Sequence, residues 1–218
     1  MDIGFLMKFG SEKNMNDLLK NGTIYCNPLS YFQKLDKDGF IADKLEGTIS
    51  IKNFSEEKNH ILTINPKSKK PIKMKIKTAQ MRGFYNNLEG NVYCLYALRY
   101  SNIINEKRYK IDERMMNDDY THCVLIEKVG EFLKRIQNEL KKQNVSFNWD
   151  LVKYHDFGID KSEMTLFHKS KNFEFQKEFR ILLKTSKLEP FSIKIGDISD
   201  IASLYDSKII KDIKIDII

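Results

Sequence analysis

The stretch that most constrains the fold is F-E-F-Q-K-E-F-R-I-L-L, from Phe173 to Leu183. Read with period two, Phe173, Phe175, Phe179, Ile181 and Leu183 share one side, interrupted by Lys177. Gln176, Glu178, Arg180 and Leu182 share the other. Successive side chains of a strand point to opposite faces, so the alternation predicts a strand with one buried face. The second face sets an amide, a carboxylate and a guanidinium in a row, roughly 6–7 Å apart at the rise of a strand. The closing I-L-L, apolar on both faces, predicts a central strand. Two readings of the row stay open. It is a solvated face carrying an Arg–Glu pair, or it holds a carboxylate rigidly enough to orient a ligand.

The rest of the chain supplies partners for such a strand. Ile3–Phe9 reads as a first strand. Ser11 is an N-cap for a helix with Met15, Leu18 and Leu19 on its apolar face, and Asn21-Gly22 is its stop. Thr23–Asn27 is a second strand, broken at Pro28 and followed by a polar loop with a short helix. That loop carries Asp36, Asp38, Asp43 and Glu46. Three strands follow between Gly47 and Lys77, the last two joined as a hairpin by N-P-K-S-K-K-P. Asn91–Leu98 is strongly apolar and reads as central, and His122–Glu127 is a further strand. Tyr100–Asp119 is polar, with irregular helix. Val129, Phe132, Leu133, Ile136 and Leu140 mark an amphipathic helix that ends near Gln143. Asp150–His155, Phe191–Ile195 and Ile209–Ile217 are short strands, with a helical turn at Asp197–Ser203. The expectation is a single α+β domain over residues 1–218, strand-rich, with mixed or antiparallel sheets and a few flanking helices.

Composition narrows the function classes. Hydrophobic residues at 41% and aromatics at 11% describe a globular chain. The net charge of +7, from 37 Lys+Arg against 30 Asp+Glu, reads as moderate and dispersed, a solvated basic surface with a generic attraction for nucleic acid or an acidic partner. Cys26, Cys94 and Cys123 are widely separated, each within an apolar run, and read as buried reduced thiols. The start M-D-I-G-F-L-M-K-F lacks the basic and long apolar regions of a secretory signal, and no apolar run reaches the roughly 18–20 residues of a membrane span. A cytoplasmic protein with no membrane segment is expected. Neither GxGxxG nor GxxxxGKS/T occurs, which argues against a Rossmann or P-loop enzyme.

Other constellations have plain readings. Asp43 and Glu46 are candidate oxygen ligands for a hard cation together with Asp36 or Asp38, but their spacing is not that of an EF-hand, and a solvated acidic loop is the simpler reading. The four histidines are scattered without metal-ligand spacing, so no metal site is expected. Tyr93, Tyr96 and Tyr100 beside Arg99 and Lys110 suit base stacking, although interior packing accounts for the first two more simply.

In order along the chain, these pieces resemble a bacterial and phage family of unknown function. The matching residues are Phe5-Leu6-Met7-Lys8-Phe9, then Gly22 to Phe32, Asp43-Lys44-Leu45-Glu46-Gly47, Val92 to Tyr96, and Val152 to Asp156. The most specific motif is Lys169, Phe173, Gln176, Glu178, Phe179 and Arg180 at fixed spacing. The chain departs from other branches at Leu35-Asp36-Lys37-Asp38-Gly39. More distantly, the closing motif resembles the last catalytic strand of ADP-ribosyltransferases, where Glu or Gln precedes the catalytic Glu by two.

That resemblance implies chemistry on NAD. Breaking the nicotinamide–ribose bond develops an oxocarbenium-like ribose, which a carboxylate on the 2′-hydroxyl stabilises. It implies Glu178 as that carboxylate, Gln176 on the acceptor side and Arg180 beside them. Lys8 would contact NAD phosphate or ribose, Tyr25 or Tyr31 would stack on nicotinamide, and Lys169 would complete the cofactor-binding set. The implied role is modification of an unidentified protein or nucleic-acid target in phage–host conflict. The alternative is a non-catalytic phage or mobile-element factor of the same fold that binds and inhibits a host defence component.

Overall fold

A computed structural model describes residues 2–34, 42–67, 70–85, 89–103, 108–116, 119–186, 188–210 and 212–214. In chain order the elements are β1 (Phe5–Gly10), α1 (Glu12–Asn21), β2 (Thr23–Pro28), α2 (Leu29–Lys34), β3 (Thr48–Ser55), β4 (Ile61–Ile64), β5 (Ile72–Lys75) and β6 (Thr78–Phe84). They continue as β7 (Asn91–Leu98), α3 (Tyr100–Ile103), β8 (Arg108–Lys110), β9 (His122–Ile126), α4 (Val129–Lys142), β10 (Phe147–Leu151) and β11 (Lys153–His155). The last are β12 (His168–Ser170), β13 (Glu178–Leu183), β14 (Phe191–Lys194), β15 (Ala202–Asp206) and β16 (Asp212–Lys214). The fold is strand-rich α+β on antiparallel sheets, as the alternation predicts. Among the described strands only β11 and β12 pair in parallel.

The main sheet runs β10-β13-β7-β1-β9-β15. One face is covered by α1 and α4. Ser11 caps α1 by accepting from the Asn14 N–H, and Gly22 closes it in the left-handed conformation at φ 59°. Met15, Leu18 and Leu19 of α1 then join Phe132, Leu133, Ile136 and Leu140 of α4 over Leu95, Val124, Phe179 and Ile181 of the sheet. Each helix thus buries the apolar stripe its spacing predicts.

β7 is where the sheet divides. Along one side it pairs with the whole of β13, from Glu178↔Tyr96 to Leu183↔Asn91. On the other side β1 pairs only its C-terminal end, as far as Met7↔Tyr96. At its N-terminal end it pairs β2, at Asn27↔Val92 and Pro28↔Asn91. β1 leaves with β9, and β2 leaves with β14. Tyr93, Cys94 and Leu95 are left without a strand partner on that side, and the opening between β1 and β2 is the mouth of a cleft.

Several expectations are corrected. The strand predicted from Phe173 begins at Glu178. Lys171–Gln176 form a 3-10 turn capped by the Ser170 side chain, and Lys177 stands in the left-handed region at φ 38°. A local side-chain cap competes with strand pairing there, so Phe173 and Phe175 lie outside the buried face, and Gln176 does not share a strand face with Glu178. Asp150–His155 is two strands parted at Val152, because β10 pairs β13 whereas β11 pairs β12. β6 had no apolar alternation to announce it, since its residues are largely exposed, and it forms by pairing with β3. The helical turn placed at Asp197–Ser203 gives way at Ala202 to β15. Of the terminal strand, Asp212–Lys214 is observed among the described residues. Asp36 and Asp38 lie outside the described residues.

Candidate active site: a buried ion cluster at the sheet opening

β13 is buried at every position, so its alternation places Glu178, Arg180 and Leu182 on the face away from α1 and α4. Opposite them on β7 stand Tyr96, Cys94 and Val92. A guanidinium and a carboxylate in such a setting require partners, because an unpaired buried charge costs several kcal/mol (order of magnitude).

Arg180, 1% exposed, has three. Its Nε donates to Glu178 Oε1 at 2.7 Å. Nη1 and Nη2 donate to the two oxygens of Glu46 at 2.8 and 3.1 Å, a bidentate pair, and Nη1 also donates to the Leu166 carbonyl. Lys169 Nζ completes the cluster, donating to Glu178 Oε2 at 3.2 Å and to Gln176 Oε1 at 2.8 Å. The Lys169 ammonium also lies 4.8 Å from the centre of the Phe173 ring. The Glu178 backbone N–H donates to the Tyr154 hydroxyl at 2.9 Å.

Glu46 reaches the cluster through the local chemistry of D-K-L-E-G. Asp43 Oδ1 accepts from the Leu45 N–H at 2.9 Å, and the Asp43 carbonyl accepts from the Glu46 N–H at 3.0 Å, closing a tight turn. Gly47, at φ 79°, lets the chain leave that turn into β3. Asp43 and Glu46 are both buried. For Asp43 and Glu46 the solvated acidic loop expected here is therefore overturned: one carboxylate caps a turn, and the other pairs Arg180. The solvated reading of the Gln176–Glu178–Arg180 row falls with it.

The electrostatics follow from burial and contact. Burial alone would raise the Glu178 carboxyl, but Arg180 and Lys169 outweigh it and hold the group well below the usual carboxylate range, hence ionised. Burial works against the Lys169 ammonium, and Glu178 and Glu46 more than restore it. Asp43 is shifted upward, chiefly by burial.

Lys8 stands at the opening in the sheet. Its Nζ donates to the Cys94 carbonyl at 2.8 Å, a backbone acceptor exposed where β1 and β2 part, and lies 4.5 Å from the Tyr93 ring centre. Burial lowers its pKa, against the pull of Glu178 and the two nearby thiols.

These groups line one cavity of about 210 Å³. All seven residues singled out in the sequence (Lys8, Tyr25, Tyr31, Lys169, Gln176, Glu178 and Arg180) border it. Tyr25 and Tyr31 form an exposed aromatic rim. Glu46 also borders the cavity, a residue read in the sequence only as a candidate cation ligand or part of a solvated loop, although its place in D-x-x-E-G was a usable signal. Asn27 and Phe32, which fall in the stretch Gly22 to Phe32 but were given no role, and Tyr120, which had no distinguishing pattern, also border the cavity. The charged lining is three cations, Lys8, Lys169 and Arg180, against Glu46 and Glu178, a net of +1. A second cavity of about 560 Å³ shares Lys8, Phe9, Tyr25, Asn27 and Tyr120 with the first and adds Asp17 and Asp119. The pair spans a volume in the range of roughly 300–1,000 Å³ that small-molecule sites occupy.

Other candidates are placed elsewhere. Tyr93 and Tyr96 are interior, the Tyr96 hydroxyl 2.7 Å from that of Tyr109. His155 and His168 stack with ring centres 5.0 Å apart, on β11 and β12. No group of three or more His, Cys, Asp or Glu capable of holding a metal occurs among the described residues. Among the same residues, no helix is long and apolar enough to cross a membrane.

Fold and site together define a strand-rich α+β protein whose main sheet opens over a buried, internally paired ion cluster. Compared with known proteins, no family model, no curated protein and no solved structure matches the chain.

Proposed function

We propose that the chain is an ADP-ribosyltransferase-like enzyme that consumes NAD. The observation that carries this reading is an ionised carboxylate, Glu178, held at the head of a central strand beside a cleft rimmed by tyrosines. In the proposed reaction the bond between nicotinamide nitrogen and ribose C1′ breaks, and the electron pair leaves with neutral nicotinamide. The oxocarbenium-like ribose is then captured by an acceptor nucleophile, whose proton is lost to solvent or a base. Glu178 stabilises the developing charge through the ribose 2′-hydroxyl. Arg180 and Lys169 each occupy one lone pair on its two oxygens, and a carboxylate has about four such sites, so acceptor capacity remains. Tyr25 or Tyr31 at the rim stacks on the nicotinamide ring. The smaller cavity suits the nicotinamide–ribose end, and Lys8, at the junction of the two cavities, suits a phosphate.

The test is nicotinamide release from NAD by the purified protein, with and without cell lysate as a source of acceptor. Glu178→Gln preserves shape and removes the charge, and release is expected to fall by at least about 100-fold, in the range of a lost electrostatic group. Tyr25→Ala alters only the exposed rim and is expected to raise KM while the fold persists. Undiminished release from folded Glu178→Gln, or no release by the wild type in either arm, refutes the reading.

A second reading has its own observation. Both oxygens of Glu178 are already held within the cluster, and the residue is 5% exposed. An ion cluster so closed also suits a non-catalytic scaffold that binds a partner, in which case Glu178→Gln leaves complex formation intact.

A further inference from the structure

The excess positive charge of this chain is not dispersed. Residues 48–84 contain nine Lys+Arg (Lys52, Lys58, Lys67, Lys69, Lys70, Lys73, Lys75, Lys77 and Arg82) against Glu56 and Glu57 alone, a net of +7. The remaining residues hold 28 of each sign, because 37 less nine and 30 less two are both 28. One segment carries the entire imbalance.

Among its described residues, 48–67 and 70–84, that segment is a nested two-stranded ribbon. β3 and β6 pair from Thr48↔Phe84 to Ser55↔Thr78. Beyond the Glu56–Lys58 turn, β4 and β5 continue from Ile61↔Lys75 to Ile64↔Ile72. The base is anchored to the body, where Ile51 bridges Lys161 and the Asn53 N–H donates to Asp160 Oδ1 at 2.6 Å. The outer hairpin is exposed at every position of both strands. Its register puts Leu62, Met74, Ile64 and Ile72 on one face and Thr63, Lys73, Ile61 and Lys75 on the other. Isolated ribbons of this kind gain little from their own packing, so an exposed aliphatic face backed by lysines is accounted for by an external partner.

We propose that the ribbon of residues 48–84 is an arm that binds duplex DNA. Three features favour that occupant over an acidic protein. A linear polyanion matches cations strung along an extended element. Lys73 and Lys75, about 6.6 Å apart on one face at the strand rise, span close to two nucleotide steps of about 3.4 Å on one strand. The major groove admits a two-stranded ribbon. Lysine is depleted at protein–protein interfaces and aromatics are enriched, whereas the exposed hairpin carries lysine and aliphatic residues without an aromatic. This goes beyond the proposed reaction, which leaves the target open, and it stands or falls separately.

The experiment uses the full chain and a fluorescently labelled 20-base-pair duplex of mixed sequence, with binding followed by anisotropy from 50 to 200 mM salt. The comparison is the variant Lys67→Gln, Lys70→Gln, Lys73→Gln, Lys75→Gln. These positions are exposed, so the body is expected to unfold at an unchanged temperature. Removing four phosphate contacts should reduce the slope of log K against log salt by about 3.6, at roughly 0.9 per contact, and weaken binding at least tenfold. Glu178→Gln should bind DNA like the wild type, which separates this result from that of the NAD assay. No binding at 50 mM salt overturns the proposal. So does an unchanged slope in the variant, or a preference for single strands or for vesicles of anionic lipid over the duplex.

Discussion

Arg180→Met removes the guanidinium that joins the two carboxylates of the ion cluster while keeping an apolar stem of similar length in the core. The wild-type side chain is 1% exposed and donates to Glu178, to both oxygens of Glu46 and to the Leu166 carbonyl. Its loss leaves Glu46 without a hydrogen-bonded cation, and both carboxylates then share Lys169 alone. Breaking a buried pair by deleting one partner costs about 3–5 kcal/mol, since the other charge stays buried. For a chain of this length that is a fall in Tm of about 6–20 °C, at roughly 2–4 °C per kcal/mol. Urea titration at pH 7 gives the free energy, and a cycle with Glu46→Gln should return a coupling of about 0.5–3 kcal/mol. The pH dependence identifies the cause. In the wild type the Glu178 carboxyl lies below its ordinary value of 4.5 despite burial, because Arg180 and Lys169 outweigh it. A carboxyl depressed on folding contributes stability that is present above the unfolded value and lost as pH falls through the folded one. Without Arg180 the depression shrinks, so the variant loses less on acidification. The deficit between the two proteins should therefore narrow as pH falls from about 7 to about 3. A deficit below about 1 kcal/mol, or one that does not change with pH, would refute an ionic role for the cluster and leave only packing.

Two further outcomes test the frame around the site. Gly22→Ala should destabilise by at least about 1 kcal/mol in urea titration, because Gly22 sits at φ 59° and an added Cβ would stand 2.2 Å from the Gly196 carbonyl oxygen; wild-type stability would show that the α1 cap is wrongly placed. The three thiols should resist iodoacetamide at pH 8 in the native protein and all react once it is unfolded. Burial pushes Cys26 up to about 12 and carries Cys94 and Cys123 higher still, so little thiolate exists at that pH. Rapid native modification counted by mass spectrometry would contradict the burial of Cys26 and Cys123, Cys94 being half-buried at the cavity wall rather than fully buried as its apolar run suggested.

Much of this architecture is legible in local pattern. The spacing of Met15, Leu18 and Leu19, and of Phe132, Leu133, Ile136 and Leu140, specifies two helices because a periodic apolar stripe has one low-energy way to be buried. The cap at Ser11 and the stop at Gly22 specify where the first helix begins and ends. The I-L-L run specifies a central strand, since apolar residues on both faces need cover on both. Local pattern misled where a cap outcompeted pairing, as at Ser170, which turned Phe173–Gln176 into a 3-10 turn. It was silent where a strand forms only because a distant partner awaits it, as β6 does for β3.

The ion cluster belongs to the second category. The residue types in E-F-R, in the lone Lys169 and in D-K-L-E-G were visible along the chain, and so was their need for partners once buried. That Glu46 pairs with Arg180, 134 positions away, and that Lys8 closes a gap left by two diverging strands, is set by how β1 and β2 share one edge of β7. No periodicity encodes that division, because it depends on which strands compete for a common neighbour after the chain has folded.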